Sequence, residues 1–346
     1  MRRVRLFALI LALSFSFALA AADGQVTPVP PLPASPERPA FADWLTGFRS
    51  FAVGQGISAS TLDRALTNLE PLPVVIERDR SQAEQTLSVE TYVKRRATRA
   101  MVRTAKTMLA RHATVLRQVE HKYGVSRQVL IAIWGLESNF GRFSGVRPTI
   151  QALATLAWEG RRGDMFRDQL LAALRIVDHG DIEPDRLKGS WAGAMGQVQF
   201  MPSTYLEFAQ DFDGDGRKDI WSSEADVFAS IANYLREHGW TRTTRWGYPV
   251  TIRGAARDRI ATATVVRTSE CHAERDMTEP LPAASWRKFG VRQASGAALP
   301  RDAPELSLLR IGARTYLVTR DYDALINYNC AHAYAMSVIT LAQKLR

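Results

Sequence analysis

Apolar positions recur along most of this chain at helical spacing, and one stretch organises the rest. Val129 to Leu136 carries no polar side chain, and Glu137 follows directly. Ser126 fits an N-cap and Gly141 a stop, so the segment from Gly124 to Arg142 is predicted as a helix entered and left by recognised signals. On it Leu130, Ile133, Trp134 and Glu137 fall at i, i+3, i+4 and i+7, which is one face. If that face packs inward, Glu137 enters an apolar setting. Burial raises a carboxyl's pKa, which suits a general acid near neutral pH. The alternative is a helix-end glutamate turned to solvent.

Upstream, Phe41, Trp44, Leu45 and Phe48 share a helix face, and Ser60 to Leu69 is a second short amphipathic segment. Ser88 to His121 reads as one or two basic helices with a solvated charged face. Downstream, Ile150 to Trp158 and Met165 to His179 continue helically. Gly189 to Phe200, GSWAGAMGQVQF, has too much glycine and too little charge for a surface loop, so it predicts a buried turn closely approached by other atoms. Pro202 opens a helix, and Ala225 to His238 forms another. The texture then changes. Tyr248 to Arg253, Ile260 to Arg267 and Leu306 to Thr319 alternate at strand spacing and predict a small β-rich insertion. Ala333 to Leu345 closes as an amphipathic helix, and there are no internal repeats. The expected class is α+β, mainly α.

Hydrophobic content of 46% and charged content of 23% over 346 residues are ordinary for a globular protein. Residues 1–20 read as a secretory leader: a basic start, an apolar run from Leu6 to Ala20, and the A-x-A site Ala18-Leu19-Ala20. That run is shorter than the roughly 20 residues of a spanning helix. No cysteine follows the site, so no lipid anchor of the lipoprotein kind and no stable membrane anchor is expected. Residues 21–40 are proline-rich and read as an extended linker. A cleaved leader predicts a periplasmic protein. Loss of Arg2, Arg3 and Arg5 with it lowers the formal net charge from +10 to +7. Such a surface suits plain solubility, a polyanion or a wall polymer bearing carboxylates. No nucleic-acid module is present. Cys271 and Cys330 can pair in an oxidising compartment, if the fold brings them together.

No H-E-x-x-H, C-x-x-C, G-x-S-x-G or Walker motif occurs, which leaves carboxylate chemistry. Glu159, Asp164 and Asp168 are candidates for a second acid. Asp211-Phe212-Asp213-Gly214-Asp215-Gly216 has the opening of a calcium loop, but the twelfth position is Ser222 rather than glutamate. Without a metal it would be an Asp/Gly turn.

Five pieces then occur in one order: Glu137-Ser138-Asn139-Phe140-Gly141; Gly193-Ala194-Met195-Gly196 with Gln199-Phe200-Met201-Pro202-Ser203; the Asp211 loop; Asn233-Tyr234; and Tyr328-Asn329 with Tyr334-Ala335-Met336. Together they resemble the membrane-bound lytic murein transglycosylase B family, including its soluble forms, from about Phe41 to the C-terminus. The resemblance implies a helical N-terminal subdomain at 41–115 and a lysozyme-like catalytic core at 116–240. It also implies a β-rich subdomain at 241–322 and a segment at 323–346 returning to the core. The implied reaction cuts the β-1,4 bond between N-acetylmuramic acid and N-acetylglucosamine in peptidoglycan without water, leaving a 1,6-anhydro sugar. Glu137 would act as acid and then as base. Ser190, Gln199 and Asn329 resemble the family's polar groups near the sugar. Tyr92, Phe200, Tyr234, Tyr328 and Tyr334 resemble its aromatic subsite residues, with core packing the simpler role for Phe200. Asp226 matches the residue that closes the loop in the family's calcium-binding form, so Asp211, Asp213, Asp215 and Asp226 form a candidate structural calcium site. No cofactor is required by this chemistry. Cys330-Ala331 stand where the family more often has Arg-Ser. A hydrolytic muramidase using the same glutamate, or an inactive peptidoglycan-binding protein, are the alternatives.

Overall fold

The structure is a computed structural model that describes residues 38–81, 87–241, 245–254 and 256–346. The expected leader and nearly all of the proline-rich linker lie outside the described residues. Helices α1 (Phe41–Gly54), α2 (Ala59–Leu66), α3 (Pro73–Arg80), α4 (Val89–Arg96), α5 (Arg99–Arg111) and α6 (Ala113–Tyr123) lead to α7 (Arg127–Ser138). A two-residue antiparallel pairing of β1 (Arg147–Pro148) with β2 (Lys188–Gly189) brackets α8 (Thr149–Glu159) and α9 (Gly163–Asp178). Then come α10 (Pro202–Phe208) and α11 (Glu224–Glu237). The last part holds β3 (Gly247–Thr251), α12 (Ala256–Ala263), α13 (Ala283–Lys288), β4 (Arg292–Gln293), β5 (Ser307–Ile311), β6 (Arg314–Val318), α14 (Arg320–Tyr328) and α15 (His332–Gln343).

Two expectations change. Ser88 to His121 forms three helices, not one or two, because Thr98 caps a new start by accepting from the Met101 amide and His112 leaves helical geometry between α5 and α6. Most of Ile260 to Arg267 is not a strand. Ala256 and Ile260, four apart, bury one face of the alanine-rich α12 against the β-rich core. β-branched residues bias toward strands only weakly when another packing buries them better.

The four-stranded antiparallel sheet runs β4-β3-β6-β5. Both its faces are covered. Leu309, Ile311, Tyr316 and Val318 join the main helical core, whereas Tyr248, Val250, Leu308 and Leu317 join a second core with Trp286 and Ile260. Side chains alternate across a pleated strand, so the register Leu309↔Tyr316 and Leu308↔Leu317 sorts each pair to one side. The sheet is thereby clamped to the helices that carry Glu137.

Candidate active site

Glu137 sits in the last turn of α7. Every residue from Val129 to Leu136 is buried, because α7 packs against α5, α6, α11 and α15. The helix is thus enclosed on all sides rather than along the single face that spacing suggests. Glu137 keeps some accessible surface, yet protein crowds its carboxyl closely enough that desolvation dominates and raises its pKa to about 7. Two groups act the other way: the Tyr334 hydroxyl and the Arg96 guanidinium. Tyr334 is buried on α15, and its Oη makes no hydrogen bond of full geometry. Arg96, at the end of α4, donates through Nη2 to the Leu136 carbonyl, which anchors a positive charge beside the carboxyl.

The turn after Glu137 explains its neighbours. Ser138 Oγ donates to the Trp134 carbonyl and accepts from the Gly141 amide, closing the helix end. Asn139, Phe140 and Gly141 all have positive φ, a sequence rare for side chains that carry a Cβ. This bend folds the Phe140 ring back over α7. A Cβ on Gly135 would lie 2.7 Å from that ring, so only glycine fits there.

The glycine-rich stretch forms the facing wall. Gln197 is buried, accepts from Trp134 Nε1 at 2.6 Å and donates to the Trp221 carbonyl at 2.8 Å. It ties the wall to α7. Gly196 has φ +64°, and a Cβ there would meet the Ile220 carbonyl oxygen at 2.7 Å. Gln199 is also left-handed (φ 52°), with its amide donating to the Gly196 carbonyl at 2.9 Å. Ser190 Oγ accepts from the Ala192 and Ala194 amides, which leaves its proton to donate. Beside this wall Tyr328 donates to the Val198 carbonyl at 2.8 Å and stacks on Tyr334 with ring planes 7° apart.

Two further features border the site. Asp211, Asp213 and Asp226 present carboxylate oxygens within 4.8 Å of one another. Asp226 is fully buried, and burial pushes its pKa up while the Phe212 and Asp219 amides hold its two oxygens. A buried acid facing two others in an all-oxygen set fits a hard cation such as calcium. Asp215 stands outside this group and pairs with Arg217. Cys271 and Cys330 form a disulfide, joining the β-rich part to the loop that carries Asn329.

The transglycosylase SLT domain family matches residues 40–343. The chain belongs to that family. It is similar to membrane-bound lytic murein transglycosylase B of Escherichia coli (strain K12), 32% identical over 231 residues, covering 64% of this chain and 57% of that one. The chain therefore spans little more than half the length of that relative. Among solved structures it is similar to SltB3 of Pseudomonas aeruginosa in complex with NAG-anhNAM-pentapeptide, with 39% identity, a TM-score of 0.79 and coverage of 88% of this chain and 79% of that one. It is also similar to the E. coli lytic transglycosylase Slt35 in complex with calcium, with 25% identity, a TM-score of 0.71 and coverage of 88% and 92%. The expected fold class, mainly helical with a lysozyme-like core, is the one observed.

Within this SLT-domain chain, Glu137, Tyr328 and Tyr334 meet: burial and the Glu137 charge both push the two phenol pKa values well up. Phe200 and Tyr234 are buried behind Tyr328, and the Tyr234 hydroxyl donates to the Asn327 carbonyl at 2.7 Å. Tyr92 is half-buried on α4, the helix packed against α15, and Asn329 is exposed at the end of α14. The candidate second acids are engaged elsewhere or exposed. Asp164 pairs with Arg167, Glu159 with Arg80, and Asp168 is exposed. Among the described residues, Arg96 is the charged side chain that acts on Glu137. Sequence reading missed Arg96 and Gln197. Arg96 is hidden in a basic run, and Gln197 in a glycine-rich stretch without any motif of its own.

Proposed function

We propose that the protein is a lytic transglycosylase that cuts the β-1,4 bond between N-acetylmuramic acid and N-acetylglucosamine in peptidoglycan. The observation that carries this reading is the single carboxyl of Glu137, desolvated to a pKa of about 7 with no second carboxylate acting on it among the described residues. Hydrolases of this kind use two carboxylates, one as acid and one as nucleophile or as base for water. Here one group does both jobs. Protonated Glu137 gives its proton to the glycosidic oxygen, and the bond to C1 breaks as the aminosugar leaves with that proton. The resulting carboxylate takes the proton of the muramoyl C6 hydroxyl, whose oxygen closes on C1 to form the 1,6-anhydro ring. A group with pKa near the working pH can release and regain a proton at comparable cost. Arg96 and the Tyr334 hydroxyl, the groups that lower this pKa, stabilise the carboxylate between the two transfers.

Ser190, Gln199 and Asn329 offer hydroxyl and amide groups to the sugar's N-acetyl and hydroxyl groups, and Tyr92, Tyr328 and Tyr334 offer ring surface. Phe200 and Tyr234 hold Tyr328 in place from behind. Asp211, Asp213 and Asp226 would hold calcium, a structural ion that would tie the 211–216 loop to α11 outside the reaction. Peptidoglycan lies outside the cytoplasm, so the protein works in the periplasm. No helix among the described residues is long and apolar enough to cross a membrane.

Digesting purified murein with the wild type and with Glu137→Gln, followed by chromatography and mass spectrometry of the fragments, tests the reading. The wild type releases muropeptides, and Glu137→Gln releases them at least about a hundredfold more slowly. Release by both proteins at similar rates would refute the role of Glu137.

A further inference from the structure

The Cys271–Cys330 disulfide reaches the candidate site directly. Asn329, Cys330 and Ala331 alone join α14 to α15. On either side of them stand Tyr328 and Tyr334, the two phenols that meet Glu137. These neighbours are held in unequal ways. Tyr328 is fixed by its bond to the Val198 carbonyl and by its stack on the buried Tyr334. Asn329 is exposed and extended in backbone (φ −150°, ψ 116°), and its side chain makes no hydrogen bond among the described residues. Its amide donates to the Leu325 carbonyl at 3.1 Å, and its carbonyl accepts from the Ala331 amide at 2.6 Å. Both bonds stay within the same short stretch, so neither ties Asn329 to another part of the fold.

The sulfur of the next residue supplies that tie. Cys271 stands on a firm base: its amide donates to Ser269 Oγ at 3.1 Å, and Ala273 and Met277 just after it are buried in the main core. Met277 also bridges to Leu309 of β5. The bond to Cys271 therefore fastens the residue beside Asn329 to the sheet. A binding group whose backbone is fixed beforehand spares the substrate the cost of ordering it. We propose that the Cys271–Cys330 disulfide is a positioning element that presets Asn329 for the sugar. The enzyme with this bond reduced then binds glycan strands more weakly, while the proton chemistry at Glu137 is unaltered. The proposal rests on the peptidoglycan reading above and on the sugar-binding role that reading gives to Asn329.

The test measures kcat and KM on soluble glycan strands for the oxidised wild type, the wild type reduced by excess dithiol, and Cys271→Ser/Cys330→Ser, at a temperature below every melting midpoint. The dithiol passes two electrons and two protons to the bond, giving two thiols, and is itself oxidised to a disulfide. Asn329→Ala is measured in its oxidised and reduced forms. The expected result is about a fivefold rise in KM on reduction and in the double serine variant, the lower end of what ordering one backbone residue costs. The value of kcat and the pH at which it falls stay unchanged. Reoxidation restores the wild-type KM, and the dithiol leaves Cys271→Ser/Cys330→Ser as it was. Oxidised Asn329→Ala shows a KM raised at least as far, and reducing it adds nothing, because both changes remove the same contact. A bond that only stabilises the fold behaves otherwise: its loss lowers the amount of folded enzyme, hence the apparent kcat, at constant KM. That result, or an equal effect of reduction with and without the Asn329 side chain, would overturn the proposal. Failure of the oxidised wild type to cut murein would instead count against the transglycosylase reading, and cosedimentation of oxidised and reduced Glu137→Gln with murein would still decide the disulfide's role.

Discussion

Replacing Glu137 by glutamine should stabilise the protein, and by more as the pH rises. In an unfolded chain this carboxyl titrates near 4.5; in the fold it titrates at about 7. Its folded pKa is raised, so between these values the folded state holds a proton that the unfolded state has released. Stability therefore falls as the pH climbs from about 4.5 to 7 and levels off above. Each pKa unit is worth about 1.4 kcal/mol. The shift thus corresponds to roughly 3 kcal/mol at about pH 8, and to nearer 2 kcal/mol once screening at the accessible side of the carboxyl is allowed for. Glutamine has the same shape and no charge to desolvate, so Glu137→Gln escapes this cost. Every other titrating group is common to both proteins and cancels in the difference. For a domain of this size, the gain is about 4–6 °C in Tm at pH 8, shrinking toward zero near pH 4. Calorimetric melts of both proteins at about pH 4, 6 and 8 measure it. A Tm difference that stays flat across this range, or narrows with rising pH, refutes the claim that the fold holds Glu137 protonated.

The proton-donating role gives a second outcome: turnover of murein should fall above about pH 7 as Glu137 loses its proton, and Tyr334→Phe, which removes a group that lowers the Glu137 pKa, should move this falling limb to higher pH in a rate profile. An unshifted limb would remove Tyr334 from the proton's environment. Glu137→Gln should lower kcat by about a hundredfold or more in single-turnover assays, the usual scale for losing a general acid. Adding calcium to chelator-treated protein should raise Tm, and Asp226→Ala should abolish that rise; identical melts with and without calcium would leave the acidic loop as a turn alone. Reduction of Cys271–Cys330 reopens a loop of 59 residues and should cost up to about 4 kcal/mol, read as a lower midpoint in denaturant melts with reductant.

Much of this arrangement was legible in the chain because it rests on local rules. The apolar run before Glu137, the glycines of the 189–200 stretch and Pro202 at a helix start all act within a few residues of themselves. What escaped depends on long-range packing. Arg96 gains its meaning only when α4 packs against α15 and the side chain reaches the Leu136 carbonyl in α7, and a neighbouring arginine in the same basic run looks no different. Gln197 matters through Trp134, 63 residues away. Ile260 to Arg267 alternates like a strand, but packing of Ile260 against the second core makes its first half, Ile260–Ala263, the end of a helix. Whether Cys271 and Cys330 pair depended on a proximity that the sequence does not encode locally and the fold supplies. Tyr234 reads as a subsite residue by motif, yet its ring stacks on His238 and its hydroxyl is satisfied by Asn327.

The central claim is that one carboxyl completes both halves of the cleavage without water. Digesting murein in water labelled with heavy oxygen, and weighing the new muramoyl ends, measures this directly. The account predicts 1,6-anhydro ends, one water lighter than reducing ends and free of label. Reducing ends carrying the label at C1 would contradict it and make the enzyme a hydrolase.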